Sequence, residues 1–213
     1  SSYTRESVPV IWSGLAPTRS GSTGWHARQP AGIPNLSTLF KPAGYKTALI
    51  SNQPAVYGTF LHRNAAFDTV AEVKAGWSSR NSPKVAAEVL RMAKEWAAGP
   101  FAFYVHFLDP HTDYNPPPDM YARFSKIRPA KSMTWGDIRA KYRDLVAAGF
   151  GPGEPIFEDF VLRYDAEIAD CDRAFSQLVA GFKELGLLDN TIFIITSDHG
   201  EEFMEHDYLE HSW

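Results

Sequence analysis

The chain has 213 residues and a formal net charge of −4, and it is 44% hydrophobic and 22% charged, the profile of one globular domain rather than of a disordered or repeat protein. Its lysines and arginines are scattered, so the basic footprint that a nucleic-acid backbone requires is missing. Its longest apolar run, "FAFYVHFL" at 101–108, is far shorter than the roughly 20 residues that span a bilayer.

The single cysteine, Cys171, excludes an internal disulfide and a thiolate cluster but does not fix the compartment. The start, "SSYTRESVPV", lacks the charged-then-apolar pattern of a signal peptide, and cytoplasmic and secreted locations are both compatible with it.

In chain order, "VPVIWSG" (8–14) is a weak strand candidate, and "GLAPTRSGSTG" (14–24) follows it as a turn of small and hydroxyl residues around Arg19. Such a turn is either a glycine-rich surface loop or, if it enters a helix, a cradle of N–H groups for an anion. "PNLSTLFKPAGY" is a short helix closed by Pro42 and Gly44, leading into the strand "KTALISN" (46–52). "SPKVAAEVLRMAKEWAAGP" is a second helix, with Ser82 as N-cap, Pro83 at the first helical position and Gly99-Pro100 as the stop. The strand "FAFYVHFLD" (101–109) comes next. Segment 115–155, punctuated by "NPPPD" and "GPGEP", is expected to be an inserted rim without a strand of its own.

The longest helix follows, its apolar positions Phe157, Phe160, Tyr164, Ile168, Cys171, Phe175, Leu178, Phe182 and Leu185 stepping by three or four. It leads to a third strand, "TIFIITSD" (191–198). Helix then strand, three times over, predicts an α/β fold with a largely parallel sheet flanked by helices, in a single domain over 1–213. Ligands of such sheets gather at the carboxyl ends of the strands.

All three strands end in functional groups: Ser51 and Asn52; Asp109, His111 and Asp113; Asp198 and His199. Asp198 and His199 pair a hard oxygen with an imidazole, a combination that suits magnesium, calcium, manganese or zinc. A solvated acid and a capping histidine at a strand end would give the same letters. Glu201, Glu202 and Glu205 read as a solvated face, while the spacing of His206 and His211 suggests a loop folding back over the strand end. His111 can pair with an anion or act as a general acid. His106, inside an apolar run, reads as a satisfied core histidine.

These pieces resemble the sulfatase branch of the alkaline phosphatase superfamily. "PTRSGSTG" resembles its Pro-Ser/Thr-Arg followed by Thr-Gly, "LSTLFKPAGYKTALISN" its helix and strand, and "AAFDTV" its Gly-Phe-Asp turn. "FAFYVHFLDPHTDYNPPP" and "YDAEIADCDRAFSQLVAGFKELGLLDNTIFIITSDHGEEFMEH" resemble its histidine-bearing stretch and its helix with the metal-binding strand end. The resemblance implies a metal-dependent hydrolase of sulfate esters acting on a small anionic ester, with calcium the first expectation for the metal and manganese, magnesium or zinc as alternatives. By position it implies Asp198 and His199 as metal ligands, and Arg19, Thr18, His111 and His211 in the catalytic machinery, His211 standing twelve residues after His199.

Two departures accompany it. The family's nucleophile, a cysteine or serine matured to formylglycine, precedes by two residues the proline of Cys-x-Pro-Ser/Thr-Arg, and "LAPTR" puts Leu15 there. Leucine cannot attack, which leaves Ser13 or Thr18 as substitutes. Nothing upstream of residue 8 resembles the family's Asp-Asp metal motif, so the chain resembles an internal piece of the catalytic domain. Two other readings stand beside sulfate-ester hydrolysis: a phosphodiesterase, phosphonate hydrolase or phosphotransferase of the same superfamily, and an inactive relative that binds an anion.

Overall fold

The computed structural model describes residues 3–21, 23, 30, 32–53, 56, 67–74, 81–111, 113–125, 135–149, 151, 153–206 and 208–211. It begins with α1 (Thr4–Ser13) and α2 (Pro17–Ser20), so the expected first strand is a helix. A short apolar run cannot distinguish the two periods; Val8 and Trp12, four residues apart, both bury, as one helix face requires. Gly14 ends α1 in the left-handed region at φ 68°, its N–H bonded to the Val10 carbonyl.

The short helix α3 (Leu36–Phe40) is capped by Asn35 and passes through a 3-10 turn to β1 (Lys46–Ser51). The next strand, β2 (Thr69–Glu72), lies beside β1 and was not among the expected strands. Its entrance is tied to β1 by Asp68, whose carboxylate accepts the Thr47 N–H at 2.8 Å and the Thr47 hydroxyl at 2.9 Å. Helix α4 (Ser82–Trp96) then leads to β3 (Phe101–His106), on the other side of β1. The sheet order β2-β1-β3 is parallel throughout. All three carboxyl ends therefore lie on one edge, with Ser51 level with His106.

Alternation along β1 serves two layers. Ala48 and Ile50 face Val85, Val89 and Met92 of α4 together with Leu178 and Phe182 of α7 (Pro155–Glu184). Leu49 faces Val8 and Trp12 of α1, and the Trp12 ring stacks on Phe67 at 5.0 Å. Segment 115–155 contributes two helices, α5 (Pro118–Phe124) and α6 (Trp135–Ala147), with α5 packed on α7.

Helix α7 has 30 residues and is about 45 Å long at 1.5 Å per residue. Its buried stripe differs from expectation in the middle. Arg163, Glu167 and Asp170 are buried there, while Ile168 faces out. The reason is a polar clamp: Arg163 pairs with Asp159 at 2.7 Å, Tyr121 of α5 donates to the same carboxylate, and Glu167 accepts the Asn115 N–H at 2.6 Å. Buried charge is tolerated because each group finds a partner, and the clamp fastens the chain that follows His111 to the helix.

Residues 191–197 form no strand pairing with any described residue. Phe193 turns inward, 5.2 Å from the Phe182 ring, while Ile192, Ile194 and Ile195 are 89, 86 and 73% exposed. The strand expected at 191–198 is therefore not formed: no ladder pairs it among the described residues, and its run of isoleucines stays exposed instead of being covered on both faces. A two-strand hairpin, β4 (Glu202–Phe203) with β5 (Leu209–Glu210), closes the described chain.

Candidate active site

Four stretches of chain meet beyond the carboxyl edge of the sheet. The turn after β3 brings His111, the end of the 191–197 segment brings Asp198 and His199, the hairpin brings Glu201 and His211, and α1 brings Thr4 from its first turn. The His211 ring lies 4.2 Å from that of His199 and 5.2 Å from that of His111, the latter edge-on at 76°. Four expected site residues, His111, Asp198, His199 and His211, are thus brought together.

The hydrogen bonds of His199 define its chemistry. Nδ1 lies 2.7 Å from the Gly200 carbonyl oxygen, which can only accept, so Nδ1 carries the proton. In the neutral ring Nε2 then presents its lone pair, 3.0 Å from the Thr4 hydroxyl and 3.6 Å from Asp198 Oδ2. A carbonyl that fixes the Nδ1 proton leaves Nε2 as the ring's acceptor, the arrangement a metal-ligating histidine needs, and here that nitrogen faces the Thr4 hydroxyl. Asp198 Oδ1 accepts the His199 N–H at 3.1 Å, while its Oδ2 is buried with no hydrogen-bond partner.

An orphaned carboxylate oxygen beside an imidazole lone pair fits a divalent cation, since burying it otherwise costs on the order of 1–3 kcal/mol. Among the described residues no group of three or more His, Cys, Asp or Glu is arranged to hold a metal. Asp198 and His199 by themselves would supply only part of a coordination shell.

Glu201 is not the solvated acid expected from sequence. Its side chain is 4% exposed and its Oε1 lies 2.9 Å from His211 Nδ1. Burial by itself disfavours the charged imidazole, but the hydrogen bond and charge of Glu201, with Glu210 and Asp198 behind it, outweigh burial and raise the His211 pKa. The pair contributes stability that is full below the ordinary histidine pKa of about 6.5 and is lost as pH rises through the raised value. Glu201→Gln is accordingly expected to lower the His211 midpoint, which a pH titration of its ring resonances by NMR would read; an unmoved midpoint would contradict the assignment. Glu202 and His206 pair at 3.3 Å on the outside, where the His206 side chain is exposed. His106, as expected, sits in the interior, and burial pushes it down to about 4 despite the nearby Asp198 charge.

Thr18 and Arg19 are not brought to this cluster. Both are exposed on α2, which follows the carboxyl end of α1. Thr4 stands at the opposite end of that 10-residue helix, roughly 15 Å away at the rise of an α-helix. Ser13 and Leu15 share the far end, where the Ser13 hydroxyl donates to the Pro9 carbonyl at 2.6 Å. Thr4 was the residue missed. The signal for it was the Thr4-Arg5 pair, which repeats the Ser/Thr-Arg of the motif fourteen residues before Thr18-Arg19.

A model of the sulfatase family matches residues 1–213. The chain belongs to the sulfatase family. Iduronate 2-sulfatase of Mus musculus is 29% identical over 171 residues, covering 68% of this chain and 30% of that protein. Among solved structures, a protein in complex with its substrate D-glucosamine-2-N,6-O-disulfate superposes with a TM-score of 0.72 at 15% identity, over 98% of this chain and 58% of that one. The phosphonate monoester hydrolase of Agrobacterium radiobacter superposes with a TM-score of 0.72 at 17% identity, over 97% of this chain and 55% of that one. At these identities the structural likenesses concern the fold. The sulfatase-family chain spans less than a third of the length of its mouse relative and just over half that of the two structures.

Proposed function

We propose that this sulfatase-family chain carries the metal-binding and substrate-facing part of a hydrolase of sulfate esters, with a sulfated sugar as the substrate class. The observation that carries the reading is the convergence of Asp198, with its unpartnered Oδ2, and His199 with His111, His211 and Thr4. Iduronate 2-sulfatase as a relative, and a neighbour bound to a disulfated glucosamine, support the sulfated sugar.

In this reading Asp198 and His199 hold a divalent cation, calcium by family resemblance. When bound, the cation would polarise the ester oxygens and neutralise their developing charge. His211, whose protonated form Glu201 favours, pairs with the anionic ester group, and His111 stands beside it to donate a proton to the leaving oxygen.

The position of Thr4 also moves the nucleophile. Ser1-Ser2-Tyr3-Thr4-Arg5 has the spacing of Cys-x-Pro-Ser/Thr-Arg, with tyrosine for proline. Ser1, outside the described residues, then takes the nucleophile position in place of Ser13 or Thr18. Arg5, beside Thr4 in the first turn of α1, takes the part first given to Arg19.

A second reading, cleavage of phosphonate or phosphate esters, is favoured by the Asp-His ligand pair and by the likeness to the phosphonate monoester hydrolase. Rates on nitrophenyl sulfate, nitrophenyl phosphate, bis-nitrophenyl phosphate and nitrophenyl phenylphosphonate separate the two. The sulfate ester is expected to lead in kcat/KM; a lead for the phosphonate or diester would replace the first reading by the second.

A further inference from the structure

We propose that Asp109 is a positioning residue that fixes His111 in the site by clamping the turn after β3 to the start of α4. The inference rests on the reading above, in which His111 faces the substrate. Asp109 is 5% exposed, and its carboxylate accepts the N–H of Asn81 at 3.1 Å, the N–H of Ser82 at 3.0 Å and the Ser82 hydroxyl at 2.6 Å.

These donors sit at the start of α4, where helical N–H groups have no partner within the helix. Ser82 was expected to be the N-cap; it is instead the first helical residue, and Asn81, at the N-cap position, makes no side-chain cap. The capping duty falls to a carboxylate 27 residues further along the chain.

That arrangement links two parts of the fold. Helix α4 is anchored by Val85, Val89 and Met92 in the core, so its first turn is a rigid point. The chain leaving β3 is held to that point at Asp109, and the His111 N–H bonds back to the Leu108 carbonyl at 2.8 Å. Only one residue separates the clamp from His111, whose ring meets His211 edge-on at 5.2 Å. Without the clamp the turn loses its tie to α4, and the α7 contacts of Tyr114 and Asn115, three and four residues beyond His111, do not fix the ring in the same place.

A plain capping role makes a different forecast, and one pair of variants distinguishes them. Asp109→Ala removes both cap and clamp, whereas Asp109→Ala with Asn81→Asp puts a carboxylate back at the positive end of the helix dipole and leaves the clamp broken. The double variant is expected to regain part of the melting temperature lost in Asp109→Ala but to keep a kcat on nitrophenyl sulfate lowered by about 100-fold, the scale of an ångström-sized misplacement, with KM little changed. The loss should disappear when Asp109→Ala is made in a His111→Ala background. Recovery of kcat together with stability, or an undiminished loss in the His111→Ala background, would overturn the proposal. If the parent cleaves no ester, the reading of the site fails, and the clamp is decided by the ring-to-ring nuclear Overhauser contact of His111 and His211. Its loss in the double variant supports the clamp, and its retention overturns it.

Discussion

Asp198→Ala is expected to abolish metal-dependent turnover and, with it, the thermal stabilisation that a divalent cation confers on the parent protein. The carboxylate has one oxygen on the His199 N–H and one buried oxygen without a hydrogen-bond partner. A cation at 100 times its dissociation constant would stabilise the parent by about 2.7 kcal/mol, and that increment is the quantity the variant should lose. Without metal the sign reverses. Removing a desolvated oxygen that gains nothing in return should leave the melting temperature equal or higher. Calorimetry with and without calcium, manganese, magnesium and zinc would read both effects. A variant that keeps the full metal-induced shift would show that Asp198 is not a ligand.

The second large effect is expected at Ser1. Thr4 reaches His199 from the first turn of α1, whereas Ser13 and Thr18 lie at or beyond its other end. Ser1→Ala should therefore lower kcat by about 1,000-fold or more, since a lost nucleophile leaves only the residual catalysis of charge stabilisation and binding. Ser13→Ala and Thr18→Ala should stay within a few-fold of the parent. Steady-state kinetics on nitrophenyl sulfate separate the two registers. An active Ser1→Ala beside an inactive Ser13→Ala or Thr18→Ala would return the motif to residues 15–19.

The parallel sheet was legible in the sequence where local signals and burial agree. "KTALISN" and "FAFYVHFLD" form β1 and β3 because near-continuous β-branched and aromatic runs suit strands in a parallel sheet. Gly44 and Gly99-Pro100 punctuate them as expected. The meeting of His111 with Asp198 and His199 was expected from strand ends on one edge; the four residues do meet, but Asp198 and His199 arrive on a segment that pairs with no described strand, and His211 arrives on the hairpin.

What was not legible depended on partners distant in sequence. Val8–Gly14 has apolar residues compatible with either period, and its helix is decided by Trp12 packing on Phe67 and Tyr104. Arg163, Glu167 and Asp170 interrupt the expected apolar stripe because the Tyr114 carbonyl meets Arg163, the Asn115 N–H meets Glu167, and Asp119 of α5 holds the Arg173 that pairs with Asp170. Glu201 looks like a surface acid until the hairpin folds His211 onto it. The Pro-Thr-Arg match at residues 17–19 rested on letters alone, and the threonine that α1 brings beside His199 is Thr4.

The central claim is that this cluster hydrolyses a sulfate ester with the help of a divalent cation, and one measurement tests it most directly. The protein is stripped with a chelator, the release of nitrophenol from nitrophenyl sulfate is followed, and calcium, manganese, magnesium or zinc is then added back. The account expects no turnover in the stripped protein and recovery with at least one cation. Turnover that persists unchanged after the metal is removed, or its absence from the full-length protein with every cation, would contradict it.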